Sequence, residues 1–283
     1  MRILVRSIKK FTDDDMAVFA AALSYQLLFS IFPFMIFLLA LLGLLNITEL
    51  FDWLLNQAQT VLPGRASELV KNIVEQIGSG AGGALSLGAV VGLWSASSAV
   101  RMTMHALNLA YKVEDPAVWK KFPLSILYTV LLAILVIAAA ALMLIGPQLA
   151  TWIAKLVGLG DVFTTVWTWA RIPVGVVLLV LVAALIYYLF PNTGQPFRLI
   201  TPGAVLAVIV WVVASLGFSW HVANFANYNA VYGGLAGVVV LLLFFFISAA
   251  ILLLGAELNS ELYHQTFEDE GPEEGAAEDG TEA

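Results

Sequence analysis

The chain has 283 residues, 61% of them hydrophobic and 12% charged, with no cysteine and a formal net charge of −7. Mean hydropathy is +0.92, and charge-free runs of about twenty residues recur, which excludes a water-soluble globule and makes lipid the solvent. Without Cys there is neither a disulfide framework nor a thiolate metal site, and the negative charge is local, because residues 268–283 hold eight acidic side chains and no basic one.

Residues 1–11 read as an amphipathic interfacial helix. Met1, Leu4, Ile8 and Phe11 fall on one side and Arg2, Arg6, Lys9 and Lys10 on the other, a pattern suited to an anionic membrane surface, and no signal peptide is visible. Thr12 and the run Asp13, Asp14, Asp15 then cap and charge the start of the first long apolar helix.

The membrane domain is expected over residues 12–263, with six spans at about 16–45, 84–111, 124–146, 172–190, 200–221 and 234–258. Each holds the roughly 20 apolar residues needed to cross a hydrocarbon core. Pro33 predicts a kink in the first span. Gly146 and Pro147 are expected to stop the third, and Pro173 to begin the fourth. Between the first and second spans, residues 46–83 read as an amphipathic helical hairpin on the outer surface, closed by the glycine-rich residues 78–83. Residues 264–283 are expected to form an acidic, disordered cytoplasmic tail. Nine Lys and Arg side chains fall on the side of the N-terminus and four on the other, which predicts cytoplasmic N- and C-termini. The fold class is thus all-α, a polytopic membrane helical bundle.

Arg101 interrupts the second span. With Trp94, Ser98, His105 and Asn108 it forms one polar stripe at helical spacing. Arg101 lies about 26 Å down that helix, near the cytoplasmic interface, and Glu257 in the sixth span should reach a similar depth. An Arg101–Glu257 pair across the bundle follows as an expectation, because a lone charge in lipid is costly. Structural pairing or snorkelling stands beside a substrate or ion-coupling role, and His105, one turn below, adds a group able to titrate near neutrality.

Ser24, Tyr25, Gln26 and Ser30 surround Pro33. They either repair freed backbone groups and pack helices or line a path. Outside, Asn224, Asn227, Tyr228, Asn229 and Tyr232 form an uncharged polar cluster that suits a re-entrant turn or a headgroup contact. No metal site is expected around His221 or His264, no cofactor is implied, and no phosphate loop, nucleophile elbow or basic nucleic-acid face is present.

Several separated motifs carry a resemblance. Ala22-Leu23-Ser24-Tyr25 with Phe29-Ser30 and Pro33, Trp94-Ser95 through Asn108 and Tyr111, Tyr187 to Asn192 followed by Pro202-Gly203-Ala204, and Tyr232-Gly233 followed by Leu254 to Asn259 together resemble the YihY/BrkB family of bacterial inner-membrane proteins. The resemblance covers roughly residues 11–263. It implies a six-span inner-membrane protein, in a family that includes a serum-resistance factor, long bore a mistaken ribonuclease BN label, and has been connected with export of lipid or envelope precursors. Gln26 departs from the family's usual serine, tyrosine, tyrosine run. A ribonuclease is disfavoured, since the chain lacks clustered metal-binding acids and a basic RNA face.

The expected function is transport or flipping of an anionic lipid, envelope precursor or small solute. A cytoplasm-facing cavity would be built from the kinked first span, the Arg101 stripe and Glu257. The alternative is a non-transporting scaffold for envelope biogenesis. Anionic lipid headgroups are the expected partners, nucleic acid is not, and a homo-oligomer stays open.

Overall fold

The computed structural model describes residues 2–44, 82–157, 160–193, 200–225 and 236–268. Residues 46–81 of the hairpin expected over 46–83 and the tail from residue 269 onward lie outside them, as do Asn227, Tyr228, Asn229 and Tyr232 of the outer cluster, while Gly82 and Gly83 open α3. Among the described residues the protein is all-helical, with seven helices: α1 (Arg2–Asp13), α2 (Met16–Leu44), α3 (Gly82–Ala110), α4 (Val118–Val157), α5 (Gly160–Leu189), α6 (Pro202–Phe225) and α7 (Ala236–Glu268).

Among the described residues three stretches are long and apolar enough to cross a membrane: Val118–Ala139, Pro202–Asn224 and Ala236–His264. Met16–Ile31 within α2 and Pro173–Leu189 within α5 are shorter apolar stretches. The outside of the bundle is greasy, with Phe29, Val91, Leu127, Val177 and Val213 all exposed, the reverse of a protein dissolved in water.

Three element bounds differ from expectation. Helix α4 runs through Gly146 and Pro147 to Val157, and α5 begins at Gly160 with Pro173 inside it. An interior proline removes one hydrogen bond and kinks a helix without necessarily ending it, and here both helices persist across it. At the other end α7 continues to Glu268, five residues into the tail expected from residue 264.

The core lies at the end of the bundle that carries α1. Met16, Ala20 and Leu23 of α2 meet Met104 and Leu107 of α3, Tyr187 and Phe190 of α5, Ala204 and Ala207 of α6, and Leu253 and Ala256 of α7. Small residues bring the backbones together. A Cβ at Gly92 would strike the carbonyl oxygen of Pro33, and one at Gly203 the carbonyl oxygen of Gly255 and the side chain of Asn259. Such close approach substitutes for the hydrophobic force that lipid does not supply between helices. Thr201 caps α6 by accepting from Ala204 N at 3.3 Å, Pro202 opens its first turn, and Asn259 of α7 accepts from Gly203 N at 2.9 Å.

Helix α1 packs against α7 and α2. Ser7 is buried, while Leu4, Val5 and Ile8 are exposed beside the exposed Arg6 and Lys9. An outward apolar strip next to basic side chains is the pattern of a helix lying in a headgroup layer.

Candidate functional site: a polar groove and a sealed carboxyl

The stripe on α3 runs between α2 and α4. Trp94 is 59% exposed, and its ring meets Phe122 of α4 at 4.7 Å. Ser98 accepts a hydrogen bond from Gln26 of α2, and Ser30 of α2 donates to the Ser95 carbonyl at 3.3 Å. One side of the stripe is thereby pinned to the Pro33 region.

Arg101 turns to the other side. Its Nη1 donates to Ser97 Oγ at 2.6 Å and to Ser125 Oγ of α4 at 3.1 Å, and its guanidinium lies 5.1 Å from the centre of the Phe122 ring. Neither Nη2 nor Nε has an acceptor among the described residues, and no carboxylate there pairs with it. The expected Arg101–Glu257 pair is therefore not formed. Arg101 faces α4, whereas both oxygens of Glu257 are buried without a hydrogen-bond partner among the described residues. Helix rotation explains the difference. Arg101 shares the stripe of the half-exposed Trp94 and His105, while Val100, Met104 and Leu107 turn toward the core. Arg101 thus lies on the α4 side of α3, and the core side chains Val100, Met104 and Leu107 occupy another side of the helix, in place of the expected common vestibule.

At the lower end of the stripe, the connection from α3 to α4 closes on Asp115. His105 Nδ1 lies 2.7 Å from Asp115 Oδ2, Lys121 Nζ donates to the same oxygen at 2.7 Å, and Asn108 Nδ2 donates to Oδ1 at 2.6 Å. Asn108 Oδ1 in turn accepts from Asn192 N at 2.7 Å, and Asn192 Nδ2 reaches the Glu114 carbonyl at 3.2 Å. Asn108 thus ties the ends of α3 and α5 together with all its amide atoms engaged. Burial works against ionisation of Asp115, but the bonds from Lys121, Asn108 and His105 and the Lys121 charge outweigh it and hold its pKa below the usual carboxylate value. Beside this clamp lies a cavity of about 380 Å³ lined by Met104, Tyr128, Tyr188, Phe190, Asn192 and Thr193. Neither Arg101 nor Glu257 lines it.

The remaining expected site residues are dispersed. Ser24 is buried and donates to Ala21 of its own helix at 2.7 Å. Tyr25 is 59% exposed and leans on Phe29 with ring centres 4.6 Å apart. Asn224 donates to the Trp220 carbonyl of its own helix at 2.8 Å. Neither Ser24 nor Tyr25 hydrogen-bonds to the α3 stripe among the described residues. Sequence inspection missed Ser97, Ser125 and Phe122 as partners of Arg101, and Asp115 and Lys121 as partners of His105. Ser97 stands one helical turn before Arg101 and was legible; the α4 residues depend on how two helices meet.

The chain matches the family model described as virulence factor BrkB over residues 7–280. It is 34% identical to a protein named ribonuclease-like protein YfkH of Bacillus subtilis (strain 168), over 96% of this chain and 99% of that one. It is 25% identical to a UPF0761 membrane protein of Xanthomonas campestris pv. campestris (strain B100), over 90% of this chain and 59% of the longer relative. No solved structure matches. The motif residues Asn108, Asn192, Gly203, Gly255 and Asn259 lie at the contacts that join α3, α5, α6 and α7; with a family match over nearly its whole length, the chain belongs to the virulence factor BrkB family of membrane proteins.

Proposed function

We propose that this protein binds the headgroup of an anionic lipid, or of an envelope precursor or small solute with the same chemistry, in the lateral groove at Arg101 and carries it across the bacterial inner membrane. In this reading the chain makes six spans with both termini in the cytoplasm, and the segment 46–83 covers the outer surface. One observation carries it. The Arg101 guanidinium is held by two serine hydroxyls and a ring with no neutralising carboxylate among the described residues, so Nη2 and Nε are left to a phosphate or other anion. Trp94 and Phe122 frame that position with apolar surface suited to the adjoining acyl chain. The basic, outward apolar helix α1 supports a neighbourhood rich in anionic lipid.

The filled interior between α2, α3, α5, α6 and α7 favours a second reading, a scaffold that binds lipid or envelope enzymes without moving anything. Liposomes bearing the purified protein and a fluorescent phosphatidylglycerol separate the two. Wild-type protein is expected to speed the exchange of the labelled lipid between leaflets, and Arg101→Gln to slow it roughly tenfold or more, the loss of one or more charge-assisted hydrogen bonds. Exchange no faster than in empty liposomes favours the scaffold. Exchange equal in wild type and Arg101→Gln removes the groove from the mechanism.

A further inference from the structure

Helix α7 turns Glu257, Ser260, Glu261 and His264 toward the corner where α1 meets α2, at the spacing that lines up one helix face. Lys10 of α1 takes Glu261 at 2.8 Å. Deeper in, Glu257 and Ser260 are both 0% exposed, yet among the described residues both carboxylate oxygens and the serine Oγ have no hydrogen-bond partner, and neither do Asp14 Oδ2 and His264 Nε2. Buried polar groups in native proteins are nearly always satisfied, so five orphaned atoms at one corner ask for an occupant. The penalty for an enclosed carboxylate without water or donors far exceeds that for the neutral acid.

The charge count sets the class of that occupant. Asp14, Lys10, Lys112 and Glu261 are the charges acting on Glu257; with Glu257 itself, three negative groups face two positive ones. One monovalent positive charge brings the corner to neutrality, whereas a divalent ion would overshoot. Among the described residues no three His, Asp or Glu side chains gather as metal ligands. A proton needs a single oxygen, which Glu257 offers.

We propose that Glu257 is a proton-binding site: its carboxylate takes one proton from water on the α1 side, forming one O–H bond, and returns it by the same route past the Lys10–Glu261 seal. The groups that face it are Lys10 and Asp14 from α1 and its turn, Tyr111 and Lys112 from the end of α3, and Glu261 and His264 from α7. Helix α2 brings the apolar Met16 and Ala20, and α6 has no titratable residue before His221 at its far end. Ser260 Oγ, one turn on, is free to hydrogen-bond the protonated carboxyl. This site is separate from the Arg101 groove, so it stands whether or not lipid is carried there.

Infrared difference spectra of the full chain in lipid nanodiscs, wild type minus Glu257→Gln over a pH series, test it. The expected result is a protonated-carboxyl band at neutral pH in wild type, lost in Glu257→Gln and unchanged when potassium chloride is replaced by sodium chloride. No such band at neutral pH overturns the proposal, and a band abolished by sodium overturns it in favour of a sodium site. Should Glu257→Gln not fold, Asp14→Asn in the α1–α2 turn provides the second measurement. Removing that neighbouring negative charge should make the band vanish at lower pH, a several-fold loss of proton affinity, and an unmoved midpoint counts against the assignment.

Discussion

Where α3 turns into α4, Asp115 gathers His105, Asn108 and Lys121, and Asn108 passes the connection on to Asn192; where α1 meets α7, Asp14, Glu257, Ser260 and His264 offer buried atoms that no described residue satisfies. Both corners lie at the same end of the bundle and are built from the same kinds of side chain. The first spends its polar groups on each other and fixes the ends of two helices. The second keeps them unspent, which is unfavourable for stability and is the arrangement a site needs if something is to come and go.

The comparison can be broken outright by forcing α6 and α7 apart. Gly203→Ala places a methyl against the Gly255 carbonyl and Asn259, and thermal unfolding in detergent should show a loss of about 3 kcal/mol, since backbone atoms cannot step aside. Asn108→Ala should be next, at about 2 kcal/mol, because it strands the Asn192 amide and one oxygen of Asp115 together. An Asn108→Ala variant as stable as wild type would mean that the first corner is not a clamp.

The second corner should respond with the opposite sign. Glu257→Leu removes two orphaned oxygens at similar volume, and the same assay should register a gain of about 1 kcal/mol; a loss as large as that of Asn108→Ala would erase the distinction. Acid sharpens it further. Asp115 is held below its ordinary pKa in the folded protein, so its contribution is complete above ~3.9 and is lost as pH falls through the depressed folded value. A pH series of unfolding midpoints for wild type and Asp115→Asn should therefore converge on acidification below that point and run parallel above it. The smallest loss belongs to Lys10→Ala. Its pair with Glu261 is mostly enclosed, the two side chains being 19% and 12% exposed, and a loss of about 1 kcal/mol is expected.

Several expectations were readable because they rest on local periodicity. The 3.6-residue pattern marks α1 as two-faced, and the long apolar run from Met16 marks α2. The stripe of Trp94, Ser98, Arg101, His105 and Asn108 was likewise legible as one line on α3. The direction of that line was not. Arg101 and Glu257 were expected to meet because both sit at similar depth, but depth along a helix says nothing about rotation around it. A difference of about 100° between successive residues decides whether a side chain meets Ser125 or the opposite side of the bundle. The proline signals at 147 and 173 misled for a different reason. An interior proline removes one hydrogen bond and kinks a helix without necessarily ending it, so proline alone does not fix a boundary.

By itself the sequence determined the solvent, because apolar runs of this length and frequency can be buried only in lipid, and it determined which residues lie in line, because helical spacing is a local property. Which way each line points was decided by tertiary structure alone. Close approach at Gly92 and Gly203 sets how α3 meets α2 and how α6 meets α7, and with that contact geometry Arg101 came to face the hydroxyl and ring of α4 while Glu257 came to face an enclosed corner with no hydrogen-bond partner among the described residues. Contacts between helices distant in the chain follow from the fit of whole surfaces, and no run of neighbouring residues encodes that fit.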